Sequence, residues 1–243
     1  DGSGQFMTQR QWPRMALIRT AIGDGALRVS APDMADLLIA LDGSGLEAGS
    51  ETVTVWKDSL PALRESVAAG RWFSDFLGTP CRLYKVDPAA RRPAKTDWVS
   101  RWLDAHPDES DRFSGDHHFG FADGFPLLVA NQASLDDLSA RVGRLLEMLR
   151  FRPNLVIEGS APYAEDGWKR IRIGELEFEV AKGCSRCILT TIDPQTGERS
   201  ADREPLSTLK TYRERDGDVY FGQNLLPRGV GELRVGMPVE VLE

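Results

Sequence analysis

The chain has 243 residues, enough for one large domain or two closely joined ones, and its 41% hydrophobic and 28% charged residues suit a globular protein with a buried core. No apolar run approaches the ~18 residues of a membrane helix, and the opening DGSGQFMTQRQ lacks the basic and apolar regions of a signal peptide. The net charge of −7 argues against nucleic-acid binding as the main function, because phosphate contacts need many cationic side chains. Three cysteines are too few, and odd in number, for a disulfide framework, so we predict a reducing, cytoplasmic setting.

The first third of the chain predicts a β-rich region with one helix. Alternating apolar and polar residues indicate half-buried strands, and turn dipeptides between such runs indicate hairpins. The predicted elements, in chain order, are a hairpin around Asp24-Gly25, a strand at 52–56 (TVTVW), a helix within 61–78 that ends at Gly78 in a left-handed conformation, and a strand at 81–86 (CRLYKV).

Residues 87–120 are rich in Pro, Asp, Ser and Arg and show weak periodicity. Long loops in compact proteins are often functional or mobile. We therefore predict a long loop or lid here, and we expect it to face the substrate.

The second half predicts more strands and the clearest helix. A leucine stripe follows Ser134, a suitable N-cap residue with Asp137 three positions later. The predicted elements are a helix over 134–150, a strand at 154–157 (NLVI), a hairpin over 170–180 around Gly174-Glu175, and two short strands within 231–242. The balance of elements predicts an α+β fold dominated by a β-barrel.

Two of the three cysteines form a CxxC motif, Cys184 and Cys187. Structural zinc needs four ligands, and the motif supplies two. The other candidate zinc ligands are Cys81, His106, His117 and His118, none at a recognisable spacing. A redox disulfide requires the motif at a helix N-terminus, whereas CILTT after it is β-branched and predicts a strand. Two buried strand cysteines acting as small apolar residues are the third alternative.

The surroundings of Cys187 favour a functional thiol over these alternatives. Arg186 directly precedes it, and a nearby guanidinium favours the thiolate form, a ligand for a soft or high-valent metal. A second basic cluster, RFRPN, places Arg152 before a proline, which favours an extended conformation with the guanidinium directed outward. A third, TQRQWPR at 8–14, enters a strand. These three stretches are candidates for converging on one anionic ligand.

Four separated motifs, in this order, resemble the MOSC-domain family, and within it the amidoxime-reducing components of mitochondria and their bacterial relatives. The motifs are TQRQWPRMALI; FADGFPLLVANQASLDDL; FRPNLVIEG with YAEDGW; and GCSRCILTTIDPQTG with REPLSTLKTYR. The resemblance covers the chain from Gln5 to Leu242. It implies a MOSC N-terminal barrel domain over 1–90, expected to lack its first strands, and a MOSC domain over 91–243.

The resemblance also implies a molybdenum cofactor, in which a molybdopterin dithiolene and one protein cysteine ligate the metal. That cysteine corresponds to Cys187, while Cys81 and Cys184 are expected to be structural. The residues that match cofactor contacts are Arg10, Asp123, Gly124, Arg152, Asn154, Ser185 and Arg186. Asp123, beside the metal, is also the candidate for handling protons, and a turn-capping role is the alternative for it.

The activity that the resemblance implies is the two-electron reduction of N-oxygenated compounds such as amidoximes, hydroxylamines and hydroxylated base analogues. Family members normally begin with strands that carry a YPVKS-like phosphate-binding motif, and this chain starts after that point. It ends without a cysteine-rich extension, so we expect electrons from a separate ferredoxin-like or cytochrome-like protein with its reductase. A second hypothesis is a module that carries the cofactor or sulfur and reduces nothing.

Overall fold

A computed structural model describes residues 1–94, 96–105, 107 and 118–243. The contacts within the chain divide it into two units. The first unit comprises Asp1–Arg92 with Ile192–Arg199, and the second comprises Pro93–Thr191 with Ser200–Glu243. Helices and strands occur together and strands predominate, so the predicted α+β class dominated by β structure is confirmed.

The first unit contains two three-stranded antiparallel sheets and one helix. Its elements are β1 (Arg19–Gly23), β2 (Ala26–Ser30), β3 (Leu37–Ala40), β4 (Ser50–Val55), β5 (Asp58–Arg64), α1 (Val67–Leu77) and β6 (Tyr84–Val86). The sheet orders are β1-β2-β3 and β4-β5-β6. A short 3-10 helix, Pro13–Leu17, precedes β1.

Local sequence signals explain the first hairpin and both ends of the helix in this unit. Asp24 and Gly25 both have positive φ, as the tight turn of the β1–β2 hairpin requires. The Ser66 hydroxyl accepts a hydrogen bond from the amide of Ala69 and caps α1, and the helix ends at Gly78 with φ of 68°. The helix packs its aromatic face on the first sheet, in a core of Val29, Trp72, Phe76 and Leu77. The predicted hairpin and helix end are confirmed.

The second unit is built on a seven-stranded sheet. Its elements are α2 (Thr96–Ala105), β7 (Leu127–Asn131), α3 (Gln132–Val142), β8 (Leu155–Ile157), β9 (Arg170–Ile173), β10 (Leu176–Arg186), α4 (Leu206–Arg213), β11 (Glu214–Arg215), β12 (Asp218–Pro227) and β13 (Val239–Val241). The strand order is β13-β9-β10-β12-β7-β8, with β11 paired to β12. Two apolar clusters form the core. One joins residues of the sheet with residues of α3 and α4, and the other includes residues of β8 and β9.

The long β10–β12 pair is irregular near the end of β10. Between the partners Gly183↔Gln223 and Ser185↔Tyr220, β12 contributes one extra residue. Gly222 lies in this bulge with φ of 75°, and a Cβ there would be 2.7 Å from the carbonyl oxygen of Val129. Bulges re-aim side chains and are common beside functional sites.

Three predicted elements of the second unit differ from the structure. Helix α3 begins at Gln132, because the side chain of Asn131, and not that of Ser134, caps it through the amide of Ala133. The helix ends at Gly143, so the predicted continuation to residue 150 is wrong, and Leu145 is 95% exposed. The predicted 231–242 strand pair is a single strand, β13.

The predicted 87–120 loop is partly helical. Helix α2 occupies Thr96–Ala105 within it, while residues 95, 106 and 108–117 lie outside the described residues. Among the residues that the structure describes, no helix is both long and apolar enough to span a membrane.

Candidate functional site

The CxxC motif lies at the end of β10 in the second unit. Cys184, Ser185 and Arg186 are the last residues of the strand, and Cys187 follows directly. The Cys187 side chain is exposed and Cys184 is half-buried, and both are free thiols. Cys187 is therefore the most exposed of the three cysteines, and it lies at the point where a long strand ends.

The segment after Cys187 is a 3-10 helix, Ile188–Thr191, and the predicted CILTT strand is wrong. The carbonyl oxygen of Cys187 accepts hydrogen bonds from the amide (3.2 Å) and the hydroxyl (3.1 Å) of Thr190, which is fully buried. The Thr191 hydroxyl donates likewise to the carbonyl of Ile188 at 2.7 Å. Threonine hydroxyls that bond to nearby backbone groups compete with strand pairing, and here they favour the tight turn.

The guanidinium of Arg186 makes its hydrogen bonds with Cys184 and Phe151. Nη1 donates to Cys184 Sγ at 2.9 Å, and Nη2 donates to the carbonyl oxygen of Phe151 at 2.7 Å. Its central carbon lies 5.6 Å from the Phe151 ring centroid, within range of a cation–π contact. Sequence reasoning placed this cation beside Cys187 and missed both of these partners.

The RFRPN segment lies next to the motif through this same contact. Arg152 follows the 3-10 helix Met148–Phe151 and is exposed, with φ of 54° and ψ of 45°. The extended conformation predicted from Pro153 is therefore wrong, because Arg152 ends the 3-10 helix as a left-handed cap with its amide bonded to Leu149.

Asn154 extends the pairing between β7 and β8. Its side-chain oxygen accepts a hydrogen bond from the amide of Leu128 at 2.9 Å, and its own amide donates to the Leu128 carbonyl at 2.9 Å. The amide oxygen of this candidate cofactor contact thus has a structural partner, while its side-chain NH2 group remains a potential donor.

Asp123 and Gly124 lie in the loop that leads to β7. Asp123 is exposed and Gly124 is half-buried, directly before the buried Phe125. An exposed carboxylate on a loop anchored by a buried aromatic residue is accessible for proton exchange.

Arg10 lies in the first unit, in the turn before the 3-10 helix Pro13–Leu17. Its guanidinium is 4.7 Å from the ring centroid of Trp56, and its carbonyl oxygen accepts a hydrogen bond from the side chain of Arg199. Its predicted role as a cofactor contact stays a prediction.

The described residues offer no conventional metal site made by protein ligands alone. No group of three or more His, Cys, Asp or Glu side chains in the described ranges is arranged to hold a metal ion. The zinc candidates His106 and His117 lie outside the described residues. The exposed thiol of Cys187 can supply a single ligand, and the exposed Arg152 of the adjoining segment can bind an anionic group. These residues fit a metal whose other ligands belong to an anionic cofactor.

Two family models match the chain. Residues 115–240 match the model described as MOSC domain, and residues 1–80 match the one described as MOSC N-terminal beta barrel domain. The chain belongs to the MOSC-domain family, as the sequence motifs predicted.

Individual relatives are similar along nearly the whole chain. Human mitochondrial amidoxime-reducing component 1 is 34% identical over 248 residues, which cover 98% of this chain and 70% of the human protein. The mouse protein of the same name is 35% identical, covering 98% and 69%. Molybdenum cofactor sulfurase of rice (Oryza sativa subsp. japonica) is 31% identical over 232 residues, covering 90% of this chain and 27% of that protein.

Proposed function

We propose that this protein is a molybdenum-cofactor-dependent reductase of N-oxygenated compounds, with Cys187 as the protein ligand of molybdenum. The observation that carries the proposal is the exposed, free thiol of Cys187 at the end of β10, in a chain of the MOSC-domain family. The names of the human and mouse relatives, amidoxime-reducing components, support the substrate class, and the name of the rice relative supports the cofactor.

In this proposal, residues of the second unit have two roles, which are to ligate the metal and to bind the rest of the cofactor. Cys187 would donate its thiolate to the metal, and the bound cofactor would supply the two-electron redox chemistry. The side chains proposed to orient the cofactor in this unit are Asp123, Arg152, Asn154 and Ser185, with the backbone of Gly124 beside them. Arg152 is suited to an anionic group because its planar guanidinium forms paired hydrogen bonds with phosphate oxygens.

The overall reaction consumes two electrons and two protons. The nitrogen–oxygen bond of a hydroxylated substrate breaks; one proton joins the hydroxyl group, which leaves as water, and the other binds to the nitrogen. We propose that Asp123 passes protons to the site, because it is an exposed carboxylate on the loop before β7. A separate redox protein, ferredoxin-like or cytochrome-like, would supply the electrons.

A second candidate function is transfer of the cofactor or of sulfur without substrate reduction. The similarity to a molybdenum cofactor sulfurase favours it, since that similarity covers 90% of this chain. An exposed thiol at a strand end suits a persulfide carrier as well as a metal ligand. A persulfide on Cys187 in protein that contains no molybdenum would support this candidate.

Two further features belong to the proposal. We propose a division near residue 90 between an N-terminal MOSC domain and the MOSC domain that contains Cys187. We also propose a cytoplasmic location on the basis of cysteine usage, although the human and mouse relatives are named for mitochondria.

The test is reduction of benzamidoxime by the purified protein with an artificial electron donor. We expect turnover in the wild-type protein, loss of turnover in Cys187→Ser, and retention in the control Cys81→Ser, which removes a half-buried thiol of the first unit. Equal turnover in Cys187→Ser and the wild type would remove Cys187 from the mechanism. Absence of turnover in cofactor-loaded wild type would support the carrier function.

A further inference from the structure

The contacts of Arg186 connect two segments of the proposed site that are 30 or more residues apart in sequence. Its Nη1 donates to Cys184 Sγ on its own strand, and its Nη2 donates to the carbonyl of Phe151, directly before the turn at Arg152. We call Arg186, Cys184 and Phe151 together the Arg186 brace. The carbonyl of Phe151 belongs to the same peptide unit as the amide of Arg152, so the brace reaches the backbone of that turn directly.

The Phe151 end of the brace is anchored in the core of the second unit. The Phe151 ring is fully buried and stacks on Phe221 of β12, with 4.0 Å between ring centroids. A carbonyl attached to such a ring has little freedom to move, because interiors are packed as tightly as organic crystals. The guanidinium therefore ties the end of β10 to a fixed point.

The backbone of Cys187 is held on both sides, while its sulfur stays exposed. On the N-terminal side, Arg186 is fixed by the brace. On the C-terminal side, the buried Thr190 donates two hydrogen bonds to the carbonyl of Cys187. Ligand residues work best when supporting contacts fix their position, and this arrangement provides such support.

The guanidinium itself is poorly placed to bind a ligand from solution. Its Nε is buried and has no hydrogen-bond partner among the described residues. Burying an unpaired donor has a free-energy cost. The two hydrogen bonds and the ring contact offset that cost, and they direct the half-buried guanidinium toward groups of the protein.

We propose that Arg186 is a positioning residue, which holds Cys187 and the turn at Arg152 in a fixed relation through Cys184 and Phe151. This inference rests on the proposed function for its effect on activity, but the contacts of the brace are all made between groups of the protein. It also gives Cys184 a role, as the sulfur acceptor that orients the guanidinium.

The first experiment uses cofactor-free protein and hydrogen exchange measured by mass spectrometry. The variants are Arg186→Ala, Arg186→Lys and the control Arg172→Ala, which removes an exposed arginine of β9 paired with Glu240. In Arg186→Ala we expect exchange to rise at least about tenfold in peptides covering 148–154 and 184–190 together, because a charge-assisted hydrogen bond is lost. Arg186→Lys should give a smaller rise, since one ammonium reaches only one acceptor well, and the control should give none.

The partner sulfur provides a second test in the same protein. Cys184→Ala removes the acceptor and should raise exchange in both peptides, whereas Cys184→Ser keeps an acceptor and should raise it less. Adding Arg186→Ala to Cys184→Ala should produce less than the sum of the two changes, since contacting residues couple. Exchange that rises only around residue 186, or in neither peptide, would overturn the brace.

The second experiment uses cofactor-loaded protein and separates positioning from cofactor contact. Arg186→Ala should keep its molybdenum, change the electron paramagnetic resonance spectrum of the partially reduced protein, and lower kcat more than it raises KM. Arg186→Lys should restore part of kcat. Loss of molybdenum from Arg186→Ala without a change in exchange would show a direct cofactor contact instead. Wild-type protein that binds no cofactor would contradict the proposed function, while the exchange data would still decide the brace.

Discussion

The buried ion pair between Asp166 and Arg213 allows a quantitative prediction about the second unit. The two side chains are 16% and 7% exposed; Nη2 of Arg213 donates a hydrogen bond to Asp166 at 2.9 Å, and Nη1 lies 2.6 Å from the second carboxylate oxygen. Gln223 donates to the same carboxylate at 2.7 Å. Although burial disfavours the charged form, the hydrogen bond with Asp166 raises the pKa of Arg213 above its ordinary value. The guanidinium therefore stays charged inside the protein.

Replacing Asp166 with Asn leaves that charge buried without its counter-ion. Loss of one partner of a buried ion pair costs about 3–5 kcal/mol. We therefore expect the free energy of unfolding of the second unit to fall by about 3–5 kcal/mol. The matched control is Asp202→Asn, since Asp202 pairs with Arg144 in similar two-bond geometry, at 2.8 and 3.2 Å, but both side chains are nearly half exposed. We expect only a small decrease there, because solvent screens the pair.

The assay is hydrogen exchange as a function of urea, read in peptides from α4 and β12. Local probes are suitable because two units in one chain need not unfold together. The free energy of unfolding reported by these peptides should fall strongly in Asp166→Asn and little in Asp202→Asn. Equal losses in the two variants would refute the reasoning, because they would show that burial does not set the strength of these pairs.

Three further predictions concern the bulge, a half-buried tyrosine and the proposed proton-handling group. Gly222→Ala should lower the free energy of unfolding in urea more than Gly217→Ala does. Both glycines have positive φ, which strains an alanine by about 1–3 kcal/mol. Of the two positions, only Gly222 would place a Cβ against a backbone oxygen. Burial, and then the hydrogen bond with Tyr212, raises the pKa of Tyr163, so the contribution of this pKa shift to stability is present below about pH 10 and is lost progressively above it. The free energy of unfolding should therefore fall less steeply above pH 10 in Tyr163→Phe than in the wild type. Parallel pH profiles of the two proteins would contradict this. Asp123→Asn should lower kcat about 10²–10⁴-fold with molybdenum content unchanged, and unchanged kcat would remove the residue from proton handling.

The sequence predicted local features well where one residue type decides the backbone conformation. Asp24-Gly25 produced the expected hairpin, Gly78 ended α1, and the first four residues of TVTVW lie in β4, which ends at Val55. Each of these signals depends on neighbours in sequence alone, either through positive φ or through alternation.

Predictions that depended on tertiary contacts were less successful. Ser134 was expected to cap a helix, but its hydroxyl instead donates to the fully buried Glu165 at 2.9 Å, a partner 31 residues away. Arg152 was expected to be extended before Pro153, yet it ends a 3-10 helix in the left-handed region. Preferences of short segments are weak, and packing overrides them.

In the candidate site too, features marked by local motifs were predicted, and contacts between distant segments were not. Family motifs indicated Cys187 as the functional thiol but predicted a strand after it, whereas the structure exposes Cys187 directly after the end of β10. Neither motif nor spacing indicated that Arg186 would bond to Cys184 and to the carbonyl of Phe151, because a backbone acceptor distant in sequence leaves no signal in the residue types.

The central claim is that Cys187 ligates the molybdenum of a bound cofactor. Its most direct test is the molybdenum and pterin content of the protein, by elemental analysis and pterin fluorescence. The protein should be produced in a molybdenum-replete host, with any residues that precede this segment in the natural protein. We predict near-stoichiometric molybdenum with pterin in the wild type and loss of molybdenum in Cys187→Ser, with circular dichroism unchanged. A folded wild-type protein with neither metal nor pterin, or full molybdenum in Cys187→Ser, would contradict the claim.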